Sequence, residues 1–269
     1  MPELPEIITI RNDLRKEVLG KKIVVVKTSG GWKFEEAGVV GHKIEEITNI
    51  AKLLLFRLSS GKYIAAHLNI SGVLLFNTTD PWVRVTLELE NGDKLYYSDT
   101  RMFGVFEVWP AEKVNEYKLY SGKTIIESDL SKEEFGGLIK KQKRPIKQVL
   151  LDRKVIGGIG NIYADDALYM SRIHPKRKAA DLSDKELETL FDNLQLILNE
   201  GIAHRGSTID RYRDLYGKPG TQQNYFRIYG KKGQKCPNCQ NPIIYEKMQG
   251  RPTYYCETCQ PPDTRPRLL

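Results

Sequence analysis

Four cysteines near the end of the chain constrain its fold more than any other feature of the sequence. They form two Cys-x2-Cys pairs separated by sixteen residues: Cys236 and Cys239, then Cys256 and Cys259. This spacing is typical of a structural zinc site, in which two turns supply four thiolates to a tetrahedral ion. Two disulfides are the alternative, but nothing else in the sequence indicates an oxidising compartment. The spacing therefore predicts a small C-terminal finger that binds one structural Zn²⁺.

The length and composition of the chain are those of a soluble, folded protein. With 269 residues, of which 40% are hydrophobic and 28% charged, the chain can bury a sizeable core and is long enough for about two domains. It contains neither an apolar run long enough to span a bilayer nor a basic-then-apolar leader. We therefore expect a cytoplasmic protein that has no membrane partner.

Positive charge is concentrated in two regions of the sequence. Residues 136–180 carry 11 Lys and Arg against 3 Asp and Glu, and residues 201–269 carry 12 against 5. Because the formal net charge of the whole chain is only +8, the remaining residues are acidic overall. A single basic run is usually a solvated surface, whereas two basic regions on either side of a predicted long helix indicate a cleft for a polyanion.

The first six residues, MPELPE, combine a potential nucleophile with carboxyl groups. If Met1 is removed, Pro2 becomes a secondary amine that titrates near ~8, so a useful fraction is unprotonated at neutral pH. Such a nitrogen can attack a sugar C1′ or an aldehyde to give an iminium ion, while a neighbouring carboxyl group moves protons. The alternative interpretation is that Pro2 is only a start residue and that the acids belong to an ordinary first helical turn.

The opening MPELPE and the C-terminal finger together resemble the formamidopyrimidine-DNA glycosylase (Fpg/Nei) family of base-excision repair enzymes. The finger motif reads GRPTYYCETCQ over residues 250–260. The resemblance covers nearly the whole chain, and several intermediate motifs occur at matching places. It implies a bifunctional DNA glycosylase and abasic-site lyase that acts as a monomer on damaged double-stranded DNA and is associated with the nucleoid.

The resemblance assigns catalytic roles to Pro2, Glu3, Glu6, Lys52 and Arg251. Pro2 would attack C1′ to displace a damaged base, Glu3 would protonate the sugar oxygen, and elimination would then cut the strand on both sides. Glu6 would orient the nucleophile or a water molecule. Lys52 and Arg251 would hold phosphates beside the lesion, a task that suits the forked donors of arginine. Without the resemblance, a lysine before an apolar strand is more often an edge guard.

The resemblance also implies three side chains that enter the DNA duplex. Ile70, within residues 67–72, stands where the family has a methionine. In residues 99–104, Arg101 would face the orphaned base and Phe103 would wedge the base stack. Extruding a base leaves a gap that apolar wedges and a cation with paired donors can fill. Judged without the family, Phe103 would be predicted as core and Arg101 as a surface charge.

Asn161 follows a glycine-rich turn at the start of a predicted helix. Such turns commonly bind phosphate, because their backbone N–H groups are free and side chains are absent. The turn alone is a weak signal, since it lacks the preceding strand of a nucleotide-binding fold. The motif Gly-Ile-Gly-Asn-Ile-Tyr-Ala-Asp nevertheless resembles the family's helix-two-turns-helix clamp, in which the asparagine binds a DNA backbone phosphate.

Periodicity and capping signals predict a mixture of helices and antiparallel strands. Residues 6–18 have the apolar spacing of a helix, and the region that follows contains short alternating strands such as residues 83–89. Several short strands with tight turns favour a β-sandwich. Capping boxes at residues 131–134 and 183–186 predict two further helices, the second running to about residue 203.

We therefore expect an α+β multidomain fold with four consecutive segments. Residues 1–112 would form a β-sandwich catalytic domain that carries the N-terminal helix, and residues 113–130 a linker. Residues 131–225 would form a helix-two-turns-helix DNA-binding domain, and residues 226–262 a zinc finger built on a β-hairpin.

The lesion preference is predicted from the two branches of the family. The Leu-Pro-Glu opening, Arg101 and the long segment 216–224 are more similar to the branch that acts on oxidised purines. We therefore expect excision of 8-oxoguanine and formamidopyrimidines through a Schiff base on Pro2, followed by β,δ-elimination. Cytosine is expected opposite the lesion, because Arg101 can donate to its acceptor edge. Ile70 departs from the family pattern. A β-branched wedge is stiffer than methionine, so discrimination among opposite bases or lesions could differ from the family pattern.

Three alternatives remain at this stage. The chain could be a Nei-like glycosylase for oxidised pyrimidines. It could instead be a non-catalytic protein that binds damaged DNA, although the presence of both Pro2 and Glu3 argues against this. A zinc-finger interaction protein would be favoured only if the basic regions contact protein instead of nucleic acid.

Overall fold

Contacts divide the chain into two compact units. A computed structural model describes residues 1–128 and 130–262. The first unit, called the N-terminal unit, contains Met1–Ser121 and Gly201–Gln223, and the C-terminal unit contains the described residues of 122–200 and 224–262. A segment distant in sequence therefore belongs with the N-terminal strands.

The N-terminal unit is built from two helices and two four-stranded antiparallel sheets. Its elements in chain order are α1 Leu4–Glu17, β1 Ile23–Thr28, β2 Ile44–Ile50, β3 Leu53–Leu58, β4 Tyr63–His67, β5 Gly72–Phe76, β6 Val83–Leu89, β7 Lys94–Asp99, β8 Val105–Trp109 and α2 Ala111–Leu119. The strand orders are β1-β6-β7-β5 in one sheet and β2-β3-β4-β8 in the other. Neighbouring strands pair antiparallel throughout.

The two sheets enclose one apolar core, to which α1 contributes. Tyr97 of β7 and Phe106 of β8 are stacked with ring centroids 4.8 Å apart, so the sheets meet face to face. Ile7, Ile10 and Leu14 of α1 are buried in the same cluster. Burial of these apolar faces removes them from water and supplies the main driving force for this arrangement. The predicted β-sandwich with its N-terminal helix is confirmed.

The C-terminal unit combines helices with one β-hairpin. Its elements are α3 Lys132–Lys140, α4 Ile146–Leu150, α5 Asn161–Met170, α6 Asp184–Ala203, β9 Ile244–Met248 and β10 Arg251–Tyr255, with α6 ending in the N-terminal unit. Short 3₁₀ turns lie at Ile126–Ser128, Ala179–Asp181 and Gln222–Tyr225. Both predicted capping boxes form: Ser131 with Glu134, and Ser183 with Glu186.

The segment with which the predicted zinc finger begins is joined to α5 by a buried carboxylate. Asp166 on α5 accepts hydrogen bonds from the backbone N–H groups of Arg227, Ile228 and Tyr229, at 2.7, 2.9 and 3.0 Å. Burial raises the pKa of Asp166, and these three donors oppose that rise. The helices and the finger therefore form one unit, and the predicted combination of β-sandwich, helical domain and β-hairpin finger is confirmed as the fold class.

The division by contacts differs from the predicted sequence segments. The predicted linker, residues 113–130, contains most of α2, in which Val114 and Tyr117 pack beside Trp109 on the sandwich; residue 129 lies outside the described part. Residues 201–223, predicted with the helical domain, belong to the N-terminal unit because polar contacts join them to α1. The exact domain boundaries stay a prediction.

No described helix is long and apolar enough to cross a membrane.

Candidate active site and metal centre

Pro2, Glu3 and Glu6 lie together at the start of α1. Glu3 is the N-cap residue, and its backbone N–H donates to Glu6 Oε2 at 2.7 Å. All three residues are buried, whereas Met1 is 55% exposed. The N-terminus of a helix carries partial positive charge, which favours an ionised carboxylate there. The first helical turn therefore fixes two carboxyl groups beside Pro2.

The second oxygen of Glu6 contacts a segment that is distant in sequence. Glu6 Oε1 accepts the backbone N–H of Ser207 at 2.8 Å and lies 3.2 Å from the Ser207 hydroxyl. Gly206 has a φ of +80°, and a Cβ there would lie 2.7 Å from Glu6 Cγ. Only glycine fits such a close crossing. Sequence reasoning missed Ser207, since no local spacing relates it to Glu6.

Lys52 occupies the tight turn between β2 and β3. Pairing of these strands ends at Ile50 with Leu53, leaving Ala51 and Lys52 as the turn, and Ala51 has a φ of +49°. The half-buried Lys52 side chain is thereby displayed at one end of the sheet.

The Lys52 turn is linked to α1 through two polar side chains. Asn49 Nδ2 donates to the carbonyl of Ala51 at 3.0 Å, and Arg11 Nη1 donates to Asn49 Oδ1 at 2.8 Å. Arg11 is only 4% exposed, so this link is held in the interior of the unit. The sequence offered no signal for it, because Arg11 reads as one of several polar residues of an amphipathic helix.

Asp99 organises the two loops that contain the predicted duplex-entering residues. Its Oδ1 accepts the Ser71 hydroxyl at 2.5 Å and the Arg101 N–H at 3.1 Å. Its Oδ2 accepts the Gly104 N–H at 2.8 Å and the Tyr97 hydroxyl at 3.1 Å. Burial alone would raise the pKa of Asp99, but these four donors outweigh burial and lower it. One carboxylate therefore holds residues 67–72 and 99–104 together.

The side chains on this rigid base point outward. Ile70 and Phe103 are 44% and 56% exposed, and the Arg101 guanidinium lies 4.8 Å from the centroid of the Phe103 ring. The Asn69 side chain also donates to the carbonyl of Phe103, which brings the loop tips together. The core position that Phe103 would have without the family resemblance is wrong. Exposed apolar side chains on an ordered loop pair are a feature of binding surfaces.

In the C-terminal unit, Asn161 is hydrogen-bonded to the residue that follows Arg251. Asn161 begins α5, and its Nδ2 donates to the carbonyl of Pro252 at 2.7 Å. Its Oδ1 is buried and accepts no hydrogen bond from the part of the chain that the structure describes. Arg251 precedes Pro252 at the start of β10 and is exposed. The two residues predicted to bind phosphate are therefore linked through Pro252, and Asn161 lies at the N-terminus of a helix, where anions are favoured.

A buried ion pair between Lys147 and Asp165 contacts the same part of β10. Lys147 Nζ lies 2.6 Å from Asp165 Oδ1, and it donates to the Pro252 carbonyl at 2.7 Å and to Thr253 Oγ1 at 2.9 Å. Asp165 also accepts the Tyr254 N–H at 3.0 Å. Burial raises the pKa of Asp165 to about 7 against the opposing effect of Lys147. Sequence reasoning missed this pair, which no motif or spacing marks as joined to β10.

The four cysteines form one compact cluster. All four sulfur atoms lie within 4.8 Å of one another, with 3.7 Å between Cys236 and Cys259 and 3.4 Å between Cys239 and Cys256. Thiolates about 2.3 Å from a tetrahedral zinc ion lie about 3.8 Å apart, so the cluster fits zinc.

The environment of Cys236 favours the thiolate that metal binding requires. Burial would raise its pKa, but hydrogen bonds, led by that of the Tyr169 hydroxyl 3.2 Å away, lower the pKa of Cys236 to about 6. Burial instead raises the pKa of Cys256. Four protein ligands leave no open position on the metal, which makes the zinc structural instead of catalytic.

Comparison with protein families assigns almost the whole chain. Residues 1–106 match the formamidopyrimidine-DNA glycosylase N-terminal domain, and residues 122–213 match the formamidopyrimidine-DNA glycosylase H2TH domain. Residues 233–262 match the zinc finger found in FPG and IleRS.

The sequence similarity to individual relatives extends over their full length. The chain is 36% identical to the formamidopyrimidine-DNA glycosylase of Carboxydothermus hydrogenoformans and 33% identical to that of Herpetosiphon aurantiacus, over 97% of this chain and 100% of each relative. The crystal structure of the MutM (Fpg) protein from Thermus thermophilus has 34% sequence identity and a TM-score of 0.88, covering 96% of this chain and 98% of that one.

A DNA-bound neighbour has the same fold. The complex of the Lactococcus lactis Fpg with abasic-site DNA has 29% identity and a TM-score of 0.88, covering 96% of this chain and 99% of that one. A sandwich with an N-terminal acidic helix, a helix-two-turns-helix domain and a four-cysteine finger define a DNA glycosylase of base-excision repair. The chain belongs to the formamidopyrimidine-DNA glycosylase family.

We predict that purified protein contains about one zinc ion per chain, because four thiolates complete a tetrahedral site. Metal analysis should give this ratio, and the four cysteines should resist alkylation until a chelator is added. A chelator-free sample incubated in parallel is the control. Zinc content near zero in folded, DNA-binding protein would contradict the prediction.

We predict that Asp99→Asn destabilises the N-terminal unit by about 1–3 kcal/mol, because an amide cannot accept from all four donors and leaves a buried group unsatisfied. All three tryptophans lie in this unit, so urea unfolding followed by tryptophan fluorescence measures the effect.

The pH dependence of the same variant gives a second measure. Since the folded pKa of Asp99 is lowered, its contribution is fully present above the ordinary value of about 4 and is lost as pH falls through the folded pKa. The acid-side loss of stability should therefore be smaller in Asp99→Asn. Glu35→Gln, which alters an exposed ion pair of the same unit, is the control and should change stability by less than about 0.5 kcal/mol. Equal effects of the two variants would contradict the role of Asp99.

Proposed function

We propose that this glycosylase is also an abasic-site lyase whose nucleophile is the secondary amine of Pro2, formed when Met1 is removed. The observation that carries the proposal is the pair of buried carboxylates, Glu3 and Glu6, in the helical turn beside Pro2. A buried acid is costly unless it is hydrogen-bonded or has a chemical task. The exposure of Met1 makes it accessible for removal.

The proposed chemistry needs one nucleophile and one proton donor. The lone pair of the Pro2 nitrogen forms a bond to C1′ as the bond between C1′ and the damaged base breaks. The base leaves with the electrons of that bond and takes up the proton that the Pro2 nitrogen loses. Glu3 donates a proton to the sugar ring oxygen as the ring opens, which gives an iminium ion. Loss of the C2′ proton then expels the 3′ phosphate, and a second elimination expels the 5′ phosphate, so the strand is cut on both sides.

We assign to Glu6 the role of orienting the nucleophile or a water molecule. Its carboxylate accepts from the Glu3 N–H and from Ser207, so both of its oxygens are engaged by the protein. A group held in this way fixes the geometry of the first turn, and such positioning can supply a large part of a rate enhancement. The helix dipole adds partial positive charge that favours the unprotonated amine of Pro2.

We infer that Lys52, Asn161 and Arg251 bind phosphates that flank the lesion. Asn161 lies at a helix N-terminus and is hydrogen-bonded to the residue that follows the exposed Arg251, which supports this for the C-terminal unit. The surplus of Lys and Arg in residues 136–180 and 201–269 supports a long polyanionic partner. Damaged duplex DNA, bound by a monomer at the nucleoid, is the partner that fits.

We assign Ile70, Arg101 and Phe103 to the gap left by an extruded base. Their exposure, on loops held by the buried Asp99, supports this role. Apolar wedges inserted between base steps need a rigid support, because unstacking the steps costs a few kcal/mol each. The guanidinium of Arg101 can donate to the acceptor edge of a cytosine opposite the lesion.

The substrates we propose are 8-oxoguanine and formamidopyrimidines. The relatives carry the name formamidopyrimidine-DNA glycosylase, and a variant of the Lactococcus lactis Fpg with 29% identity and a TM-score of 0.88 is described in complex with Fapy-dG-containing DNA. The presence of Arg101 in the loop at residues 99–104 resembles the branch of the family that acts on oxidised purines. The alternative is the branch that acts on oxidised pyrimidines.

We predict that borohydride traps a covalent adduct between the protein and abasic-site DNA, and that mass spectrometry locates it on the N-terminal Pro2. A short peptide added before Pro2 should abolish trapping, since the nitrogen becomes an amide, and should leave a measurable DNA dissociation constant. The same peptide added at the C-terminus is the matched control and should not affect trapping. An adduct on Lys52 would reverse the assigned roles.

We predict that single-turnover excision is faster for 8-oxoguanine or formamidopyrimidine opposite cytosine than for oxidised thymine opposite adenine. A cytosine should be preferred over adenine opposite 8-oxoguanine by roughly tenfold or more, the size expected from a specific hydrogen-bonded base contact. Arg101→Gln should reduce this preference, and Ile70→Met tests whether the wedge contributes to it. If oxidised thymine is excised fastest, the protein belongs to the other branch.

A further inference from the structure

Residues 205–218, called the strap, follow α1 along its length in the N-terminal unit. Near the start of α1, Ser207 of the strap contacts Glu6, with 2.8 Å between the Ser207 nitrogen and Glu6 Oε1. Near its end, the Tyr216 hydroxyl donates to Glu17 Oε1 at 2.8 Å. The strap therefore contacts both the turn that carries the proposed catalytic carboxylates and the last turn of the same helix.

Between these points, Arg205 binds two buried carboxylates. Its Nη2 lies 2.5 Å from Asp13 Oδ2 on α1 and 2.7 Å from Asp214 Oδ2 on the strap. Asp13 and Asp214 are 3% and 1% exposed at their side chains, while Arg205 is 41% exposed. The guanidinium covers a buried pair of like charges, which would otherwise repel each other at short range.

Asp214 also shapes the far end of the strap. Its Oδ1 accepts the N–H groups of Tyr216 and Lys218, at 3.0 and 2.8 Å. The same carboxylate that binds Arg205 therefore orders the turn that presents Tyr216 to Glu17. The Arg205 guanidinium also lies 5.8 Å from the centroid of the Tyr216 ring. Loss of Arg205 would weaken the middle contact and, through Asp214, the contact at residue 17.

The three contact points on α1 lie on one face. Positions 6, 13 and 17 are separated by seven and four residues, a spacing that places side chains one above another on a helix. The neighbouring side of α1 packs in the apolar core through residues such as Ile7 and Leu14, which lie roughly a quarter turn around the helix from Glu6. Apolar packing is non-directional, whereas charged hydrogen bonds have preferred distances and angles. The strap can therefore fix the rotation and axial position of α1.

We propose that Arg205 is a positioning residue, which fixes α1 through Asp13 and Asp214 and thereby sets the position of Pro2 and Glu3. This inference rests on the proposed role of Pro2 as nucleophile. The strap is then more than a connection between α6 and the finger. It is the element that holds the nucleophile-bearing helix in register, and a displacement of about 1 Å at a reacting group can cost on the order of a hundredfold in rate.

Arg57 offers a closely matched control. It is also paired with two carboxylates, Glu45 and Glu46, and its side chain is 40% exposed against 41% for Arg205. Its partners, however, are 41% and 52% exposed and belong to the β2 strand region instead of α1 and the strap. Arg57→Gln and Arg205→Gln both remove one positive charge. They differ chiefly in the carboxylates that the arginine binds: exposed ones near β2 for Arg57, buried ones on α1 and the strap for Arg205.

The first measurement is hydrogen exchange of the free protein, followed by mass spectrometry. Arg205→Gln should accelerate exchange in peptides from residues 4–17 and 205–218, and leave residues 44–67 unchanged. Arg57→Gln should leave both α1 and the strap unchanged. Unaltered exchange in α1 and the strap of Arg205→Gln would overturn the inference, whatever the chemistry of Pro2.

The second measurement compares single-turnover borohydride trapping with the dissociation constant for abasic-site DNA. Arg205→Gln should slow trapping by roughly 10–100-fold while the dissociation constant changes by less than about threefold. Arg205→Lys should restore part of the rate, since an ammonium can bind one carboxylate but lacks the forked geometry. Trapping at the wild-type rate, or a loss that matches an equal loss of DNA affinity, would overturn the inference.

A milder variant keeps the test valid if Arg205→Gln does not fold. Tyr216→Phe removes only the hydrogen bond to Glu17, a single contact of modest strength, and should slow trapping by about fivefold or less in the same direction. If neither hydrogen exchange nor trapping changes in Tyr216→Phe, the proposed positioning of α1 by the strap is contradicted. If the wild-type enzyme itself gives no Pro2 adduct, the proposed function fails, and that result is distinct from normal trapping in the Arg205 variants.

Discussion

The buried carboxylate of Glu6 is the contact on which the arrangement around Pro2 depends. One oxygen accepts the Glu3 N–H at 2.7 Å and the other accepts the Ser207 N–H at 2.8 Å. Burying a charge is costly unless hydrogen bonds compensate it, and charge-assisted hydrogen bonds are stronger than neutral ones. Glu6 therefore joins the start of the chain to a segment two hundred residues away, where Gly206 permits the close approach.

Buried carboxylates recur wherever irregular segments are held in place. Asp99 joins the two loops that carry Ile70 and Phe103, and Asp166 accepts three consecutive backbone N–H groups where the chain enters the finger. Asp165, paired with Lys147, accepts one backbone N–H of β10, that of Tyr254. Loops that contact a ligand cannot bury much apolar surface of their own, so backbone donors gathered around one acid provide their order. The side chains of Ile70 and Phe103 remain exposed on a rigid base.

Zinc has a comparable task in the finger. The hairpin of β9 and β10 is short, and its apolar cluster is small and includes Cys236 and Cys256. A four-thiolate site supplies stability that such a small core lacks. Contacts from α5 then connect the finger to the helical part, including the hydrogen bond from Asn161 to Pro252, the residue that follows Arg251. In this way a structural metal helps to fix the position of Arg251.

Much of this protein follows from local sequence, and the remainder from contacts that no local pattern records. The zinc ligands follow from the spacing of the cysteines, the sandwich from the alternation of its strands, and two helix starts from capping boxes at Ser131 and Ser183. The positions of residues 201–223, the exposure of Phe103 and the partners of Asp99, Lys147 and Arg205 depend on the tertiary structure.

The physical reason is the range of the interactions. Metal-ligand spacing, helical periodicity and capping act over a few residues, so the sequence by itself determined the zinc finger, the sandwich strands and the family motifs. Hydrogen bonds to a buried acid can join any two segments that folding brings together. The tertiary structure alone therefore decided that Glu6 meets Ser207, that Asp13 and Asp214 share Arg205, and that the strap lies along α1.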